Sequence, residues 1–169
     1  LYKNIMSKKP NILLTDDEDT FRNIMAKELT RMGYNVVSCA SGSETINTLH
    51  ERDFDVVILD MNMPVMGGIE TLKRIKQFDE HIPVIMLSAQ GSIEVAVEAL
   101  RYGAFDYFTK PIDQQKLELA IKNSIKSYDL TRELQNLKEN VKKEYSFDSI
   151  ISSDGKMQDV FKLVTKVLH

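Results

Sequence analysis

The chain has 169 residues, 43% of them hydrophobic and 28% charged, with a formal net charge of -3 at pH 7, which suits one ordinary globular domain plus an appendage. That balance argues against a broadly basic nucleic-acid-binding module, and no run approaches the roughly 18 apolar residues of a membrane span. Cys39 is the sole cysteine, which rules out a disulfide framework or a cysteine-based metal site and makes a reducing cytoplasm the expected setting.

Residues 1–8 read as a disordered or vector-derived start, with Met6 the natural beginning. The first apolar run, Asn11-Ile12-Leu13-Leu14-Thr15, breaks off at Asp16-Asp17-Glu18. Phe21, Ile24, Met25, Glu28, Leu29 and Met32 then follow the spacing of a one-sided helix, closed by Gly33. Tyr34-Asn35-Val36-Val37-Ser38-Cys39 is a second strand without a reactive ending. Ser41-Gly42-Ser43-Glu44 opens a helix carrying Ile46 and Leu49. Asp55-Val56-Val57-Ile58-Leu59 ends in Asp60, and Gly68 leads into a helix with Ile69, Leu72 and Ile75. Ile82-Pro83-Val84-Ile85-Met86-Leu87 ends in Ser88, and Ser92 starts a helix with Ala96, Val97, Ala99 and Leu100, closed by Gly103. Ala104-Phe105-Asp106-Tyr107-Phe108-Thr109 ends in Lys110-Pro111, and Asp113 caps a fifth helix with Leu117, Ala120, Ile121 and Ile125 on one face.

Strands alternating with helices at this pace imply a parallel sheet covered on both faces. Nearly continuous apolar runs fit strands buried on both sides. The polar endings then converge at the carboxyl edge of the sheet, where open α/β folds hold ligands. An acidic pair, a lone Asp, a hydroxyl and a Lys at one edge form a metal-assisted phosphoryl-acceptor site. A carboxylate can take a phosphoryl group as a mixed anhydride once charge repulsion is overcome, and Mg²⁺ held by one or two carboxylates is the usual means. Asp60, the isolated carboxylate, is the better nucleophile candidate. Asp16 and Asp17 are candidate metal ligands, Ser88 a donor to a phosphoryl oxygen, and Lys110 a compact point charge for another. Each feature alone has a duller reading: helix capping for the Asp pair, an ordinary turn at Asp60, a plain loop after Ser88.

Four motifs taken together resemble the receiver domain of two-component response regulators over residues 9–128. They are Ile12-Leu13-Leu14-Thr15-Asp16-Asp17-Glu18, Asp60-Met61-Asn62-Met63-Pro64-Val65-Met66-Gly67-Gly68, Leu87-Ser88-Ala89 and Tyr107-Phe108-Thr109-Lys110-Pro111. The resemblance implies a flavodoxin-like doubly wound α/β fold: five parallel strands in the order 2-1-3-4-5, five helices, and the second strand at an edge. It further implies Asp60 as the phosphoacceptor, and Mg²⁺ held by Asp16, Asp17, Asp60 and the backbone carbonyl of Asn62. Ser88 and Lys110 would contact the phosphoryl group, Tyr107 would be the switch aromatic, and Lys110–Pro111 would be cis. A sensor histidine kinase is the implied partner. Two rival readings are a phosphorylation-independent interaction module and an aspartyl-phosphate hydrolase. The hydrolase would want an acid where Asn62 stands.

No Gly or Pro interrupts the chain from Asp113 to about Lys143, and Leu130, Leu134, Leu137 and Val141 fall at spacings of four, three and four. Residues 129–146 therefore read either as a linker helix that pairs in a homodimer or as a surface helix covering its own domain. Pairing through the face of the fourth helix, fifth strand and fifth helix is the other route to a dimer. Residues 147–169 resemble the opening of the AAA+ domain of NtrC-type transcription activators. No G-x-x-x-x-G-K-[ST] phosphate loop is present, so neither ATP binding nor hydrolysis is expected of these residues. DNA and sigma-factor polymerase would be reached only through domains outside this sequence.

Overall fold

The structure, a computed structural model, describes residues 9–89 and 91–144. The sequence expectations for residues 1–8, for 145–146 and for the AAA+-like segment 147–169 lie outside those residues. Ten elements alternate strictly: β1 (Asn11–Thr15), α1 (Asp19–Arg31), β2 (Asn35–Cys39), α2 (Gly42–Glu51), β3 (Val56–Asp60), α3 (Gly68–Phe78), β4 (Val84–Ser88), α4 (Ile93–Arg101), β5 (Asp106–Thr109) and α5 (Gln114–Glu144). The strands form one parallel sheet in the order β2-β1-β3-β4-β5. This is the doubly wound arrangement implied by the sequence, with β2 at one edge and β5 at the other.

Alternation of side chains along the three central strands explains why their sequences are apolar throughout. Leu13, Val57, Leu59, Val84 and Met86 face one layer of core with Leu49, Leu72, Ile75 and Ala99 from α2, α3 and α4. Ile12, Leu14, Val56, Ile58, Ile85 and Leu87 face the other, with Leu29 from α1 and Leu117, Ala120 and Ile121 from α5. Every one of these strand side chains is fully buried. Burial of a side chain of this size stabilises by about 1.5–3 kcal/mol, so the sheet's interior residues anchor both helical layers.

The helix signals in the sequence act as read. Ser41 accepts from the Glu44 amide and Ser92 from the Val95 amide, each satisfying a donor that the first turn leaves open. Asp113 Oδ1 accepts from the amides of Gln115 and Lys116. Gly33 (φ 100°) and Gly103 (φ 90°) close α1 and α4 in the left-handed region, where a side chain would be strained. One assignment differs. Ile24 belongs to the apolar spacing of α1 yet is 59% exposed. On a 3.6-residue wheel it lies about 100° from the middle of the Phe21–Met25–Leu29–Met32 stripe, which turns it outward.

Helix α3 is fixed at both ends. At its start, a Cβ on Gly68 would lie 2.5 Å from the Asp60 carbonyl oxygen and 2.6 Å from Met61 Cα, so only glycine lets the helix approach this closely. At its end, the Asp79 carboxylate accepts the Tyr128 hydroxyl at 2.7 Å and the His81 amide at 2.8 Å. Burial acts to raise the Asp79 pKa, but these donors outweigh it and hold the carboxyl below its usual range.

The chain divides into two compact units, residues 1–128 and 129–169. Within the second, Leu130, Leu134, Leu137 and Val141 are 52–61% exposed. Among the described residues no helix is long and apolar enough to cross a membrane.

Candidate functional site

Parallel register brings the sequence-predicted residues to one edge. Thr15 is paired with Leu59 on β3, Asp60 with Leu87 on β4, and Ser88 with Thr109 on β5. The strand ends are staggered across the sheet: the register puts Asp16 level with Asp60, Ser88 one residue beyond them and Lys110 one further. Backbone bonds continue the ladder one step further: Met61 N–H donates to Leu87 at 2.7 Å and Lys110 N–H to Ser88 at 2.8 Å.

The centre of the site is the Lys110 ammonium. It lies 2.7 Å from Asp16 Oδ2 and 2.7 Å from Asp60 Oδ1, with side chains that are 18%, 0% and 4% exposed respectively. The Phe21 ring sits beneath it, 4.0 Å from the nitrogen to the ring centroid. Burial alone would loosen the Lys110 proton, but the bonds to Asp16 and Asp60 more than offset that and raise its pKa. For Asp60, burial dominates, and Asp16 reinforces it against the Lys110 and Asn62 hydrogen bonds, so its carboxyl is pushed above the ordinary range. The remaining oxygens are held by the backbone: Asp60 Oδ2 accepts the Asn62 amide and Asp16 Oδ1 the Glu18 amide, both at 2.8 Å. The Lys110–Pro111 bond is cis.

The acidic pair is not a helix cap. The cap position of α1 is Glu18, whose side chain makes no capping bond. Asp16 turns inward onto Lys110, whereas Asp17 is exposed. Ser88 is buried at the end of β4. Tyr107, paired with Met86 two residues before the end of β5, is half-buried against the layer of core that includes α3 and α4.

Three contacts of the site involve residues outside the sequence-predicted set. Phe21 reads as one more member of the α1 stripe, although it also floors the lysine. Arg22 Nη1 donates to the Asp16 carbonyl at 2.6 Å. Buried Thr15 and Thr45 share a hydroxyl hydrogen bond of 2.7 Å that ties β1 to α2 just below the acids. A basic residue one turn into the helix after an acidic pair was the available hint for Arg22.

Among the described residues, no group of three or more acidic, His or Cys side chains is arranged around a common point. Lys110 is the cation between the two buried carboxylates. The donor chemistry nonetheless fits a hard divalent ion. Two buried carboxylates share a single ammonium and leave one negative charge uncompensated, Asp17 adjoins them, and neither thiolate nor imidazole belongs to the set.

A doubly wound sheet with buried carboxylates and a strand-end lysine at its carboxyl edge is the arrangement that the resemblance to receiver domains implies. Comparison with known families agrees. Residues 12–122 match the response regulator receiver domain, and the chain belongs to that family. It is 31% identical over 156 residues to the regulatory protein AtoC of Escherichia coli strain K12, covering 92% of this chain and 34% of that protein. It is 40% identical over 115 residues to the transcriptional regulatory protein ZraR of Klebsiella oxytoca, covering 68% and 26%. The chain thus spans about a third or less of these relatives. Among solved structures, a response regulator receiver domain protein from Clostridium thermocellum superposes with a TM-score of 0.69 at 35% identity, covering 72% of this chain and 98% of that one. NtrX from Brucella abortus gives 0.71 at 30% identity, covering 77% and 30%. These relatives accord with the NtrC-type resemblance, and the chain is a regulatory receiver domain of the two-component type.

Proposed function

We propose that Asp60 accepts a phosphoryl group from a sensor histidine kinase and that the resulting charge switches the surface and pairing of the domain. The observation that carries this reading is the buried triad of Asp60, Lys110 and Asp16, with 2.7 Å on each side of the ammonium. A carboxylate at 4% exposure with a raised pKa is poorly solvated and so a better nucleophile than a surface acid. An Asp60 oxygen forms the new bond to phosphorus as the bond from phosphorus to the kinase histidine nitrogen breaks. Lys110 is the residue to neutralise a phosphoryl oxygen, and the Asn62 amide holds the second Asp60 oxygen in place.

Asp16, Asp17, Asp60 and the Asn62 carbonyl would hold Mg²⁺, which when bound supplies charge neutralisation for the incoming phosphoryl group. Ser88, buried one residue beyond the Asp60 register, would donate to the phosphoryl oxygens. Tyr107 would follow it inward and repack the α4–β5 face. Two apolar surfaces could read that change as homodimer contacts: the α5 seam from Leu130 to Val141, and the α4–β5–α5 face with Ile93, Val97, Leu100, Phe105 and Leu119 exposed. In this reading the domain works in the cytoplasm and governs an AAA+ transcription-activating domain and DNA contacts beyond the sequence described.

The test is incubation of the chain with Mg²⁺ and a small acyl phosphate, followed by intact-mass measurement. A single phosphoryl adduct labile to acid and to hydroxylamine is expected, absent in Asp60→Asn. Sustained turnover of the donor without an adduct would indicate a hydrolase instead. No adduct under any donor would leave an interaction module that signals without phosphorylation.

A further inference from the structure

Away from the acidic edge, a cleft of about 450 Å³ opens between α3 and the turn that follows α4. Its lining places Lys73, Lys76 and Arg101 around Tyr102 and Gly103, with Glu80 as the one acid. The excess of positive charge is local, because the chain as a whole carries a formal charge of -3. Acids offset part of it, since Asp79 and Glu80 act on Lys76 and Glu98 lies one turn before Arg101, but they form no ion pair with Lys73 or Arg101. The acid one turn before Lys73, Glu70, is paired with Arg74 at 2.9 Å. Neither Lys73 nor Arg101 has an acidic partner among the described residues.

The groups are also held in place. The Lys73 ammonium stands 3.9 Å from the centre of the Tyr102 ring, joining α3 to the end of α4. The Lys76 ammonium donates to the carbonyls of Ile82 at 2.6 Å and Glu80 at 3.0 Å, leaving a third N–H for a ligand. Its burial lowers the Lys76 pKa against the pull of Asp79 and Glu80. Gly103 keeps the wall low: a Cβ there would come within 3.3 Å of the Lys76 stem.

We propose that this cleft binds a small ligand bearing a di- or triphosphate group, with Lys73, Lys76 and Arg101 contacting the phosphate oxygens and Tyr102 forming the side wall. The volume lies within the roughly 300–1,000 Å³ of small-molecule sites. Guanidinium and ammonium groups from two elements that line one cleft suit an anion with several oxygens better than they suit a single carboxylate. The cleft shares no residue with the Asp60 site, so the proposal is independent of the function proposed above.

Amide NMR spectra of the chain, titrated without Mg²⁺ with pyrophosphate and separately with ADP, test it. Saturable shifts are expected at Lys73, Lys76, Arg101, Tyr102 and Gly103, with affinity about tenfold weaker in Lys73→Gln or Arg101→Gln. Equal affinity for the two compounds means that the phosphates alone are recognised. Tighter binding of ADP, lost in Tyr102→Ala, adds a nucleoside contact; both results support the site. Shifts that stay linear to about 10 mM, spread over surface lysines generally, or persist unchanged in the variants overturn it. So does saturation of the same resonances by a poly-glutamate peptide when neither phosphate compound saturates them. Asp60 phosphorylation should remain intact in Arg101→Gln, which separates loss of this site from loss of the switch.

Discussion

Replacing Lys110 with Met leaves two buried carboxylates facing each other with no cation between them. Each lies 2.7 Å from the same nitrogen, so their oxygens are at most 5.4 Å apart, the sum of the two contacts. At an effective dielectric of about 20, charges at that separation repel by about 3 kcal/mol or more. Loss of one partner from a buried ion pair typically costs about 3–5 kcal/mol, in agreement. For a domain of this size that is a fall in Tm of about 10–15 °C at pH 7.5. The cost is relieved when a carboxyl takes up a proton, so the difference from the parent should narrow steadily as the pH falls towards about 4. Thermal melts monitored by circular dichroism at pH 7.5, 6 and 4.5 read both effects. A fall below about 3 °C at pH 7.5, or a gap independent of pH, would refute the placement of Lys110 as the shared counter-ion.

Asp60→Asn tests the other side of the same balance. Because the folded carboxyl holds its proton more tightly than the unfolded one, the folded state carries more protons between the two pKa values, and stability falls as pH rises through the folded value. Asn removes that cost, so its Tm relative to the parent should rise as the pH increases from acid through the folded value; denaturation melts from about pH 4 to 8 check it. Gly68→Ala should destabilise by about 2 kcal/mol or more and lower phosphoryl uptake, since its Cβ meets backbone at 2.5 and 2.6 Å rather than a side chain that can turn aside. Urea titration and adduct formation measure the two losses. Val65 stands in the left-handed region at φ 68° and is fully exposed. Val65→Gly should therefore stabilise by about 1 kcal/mol, seen as a higher urea midpoint with an unchanged slope.

The sheet was legible because each buried strand is a nearly unbroken apolar run ended by a polar residue, and because Ser41, Ser92, Asp113, Gly33 and Gly103 mark helix ends by local chemistry. The gathering of Asp16, Asp60, Ser88 and Lys110 at one edge followed from parallel register alone. What remained hidden depends on how helices rotate against the sheet. Phe21 under Lys110, Arg22 on the Asp16 carbonyl and Thr45 on Thr15 are contacts between elements, and no spacing within one element encodes them. The outward turn of Ile24 has the same origin, since a six-residue apolar pattern does not say where the centre of its stripe will settle. Asp16 and Asp17 were indistinguishable as neighbours in sequence, and only the pleat at the end of β1 decides which one turns inward.

Helix α3 has no slack at either end. Its eleven residues make a rod about 16 Å long, abutting the acceptor's own carbonyl at Gly68 and gripping the Tyr128 phenol through Asp79. A rod of hydrogen-bonded turns resists compression along its axis. Any displacement imposed beside Asp60 must therefore either reappear at Tyr128, where the first compact unit ends, or be absorbed by breaking that phenol contact.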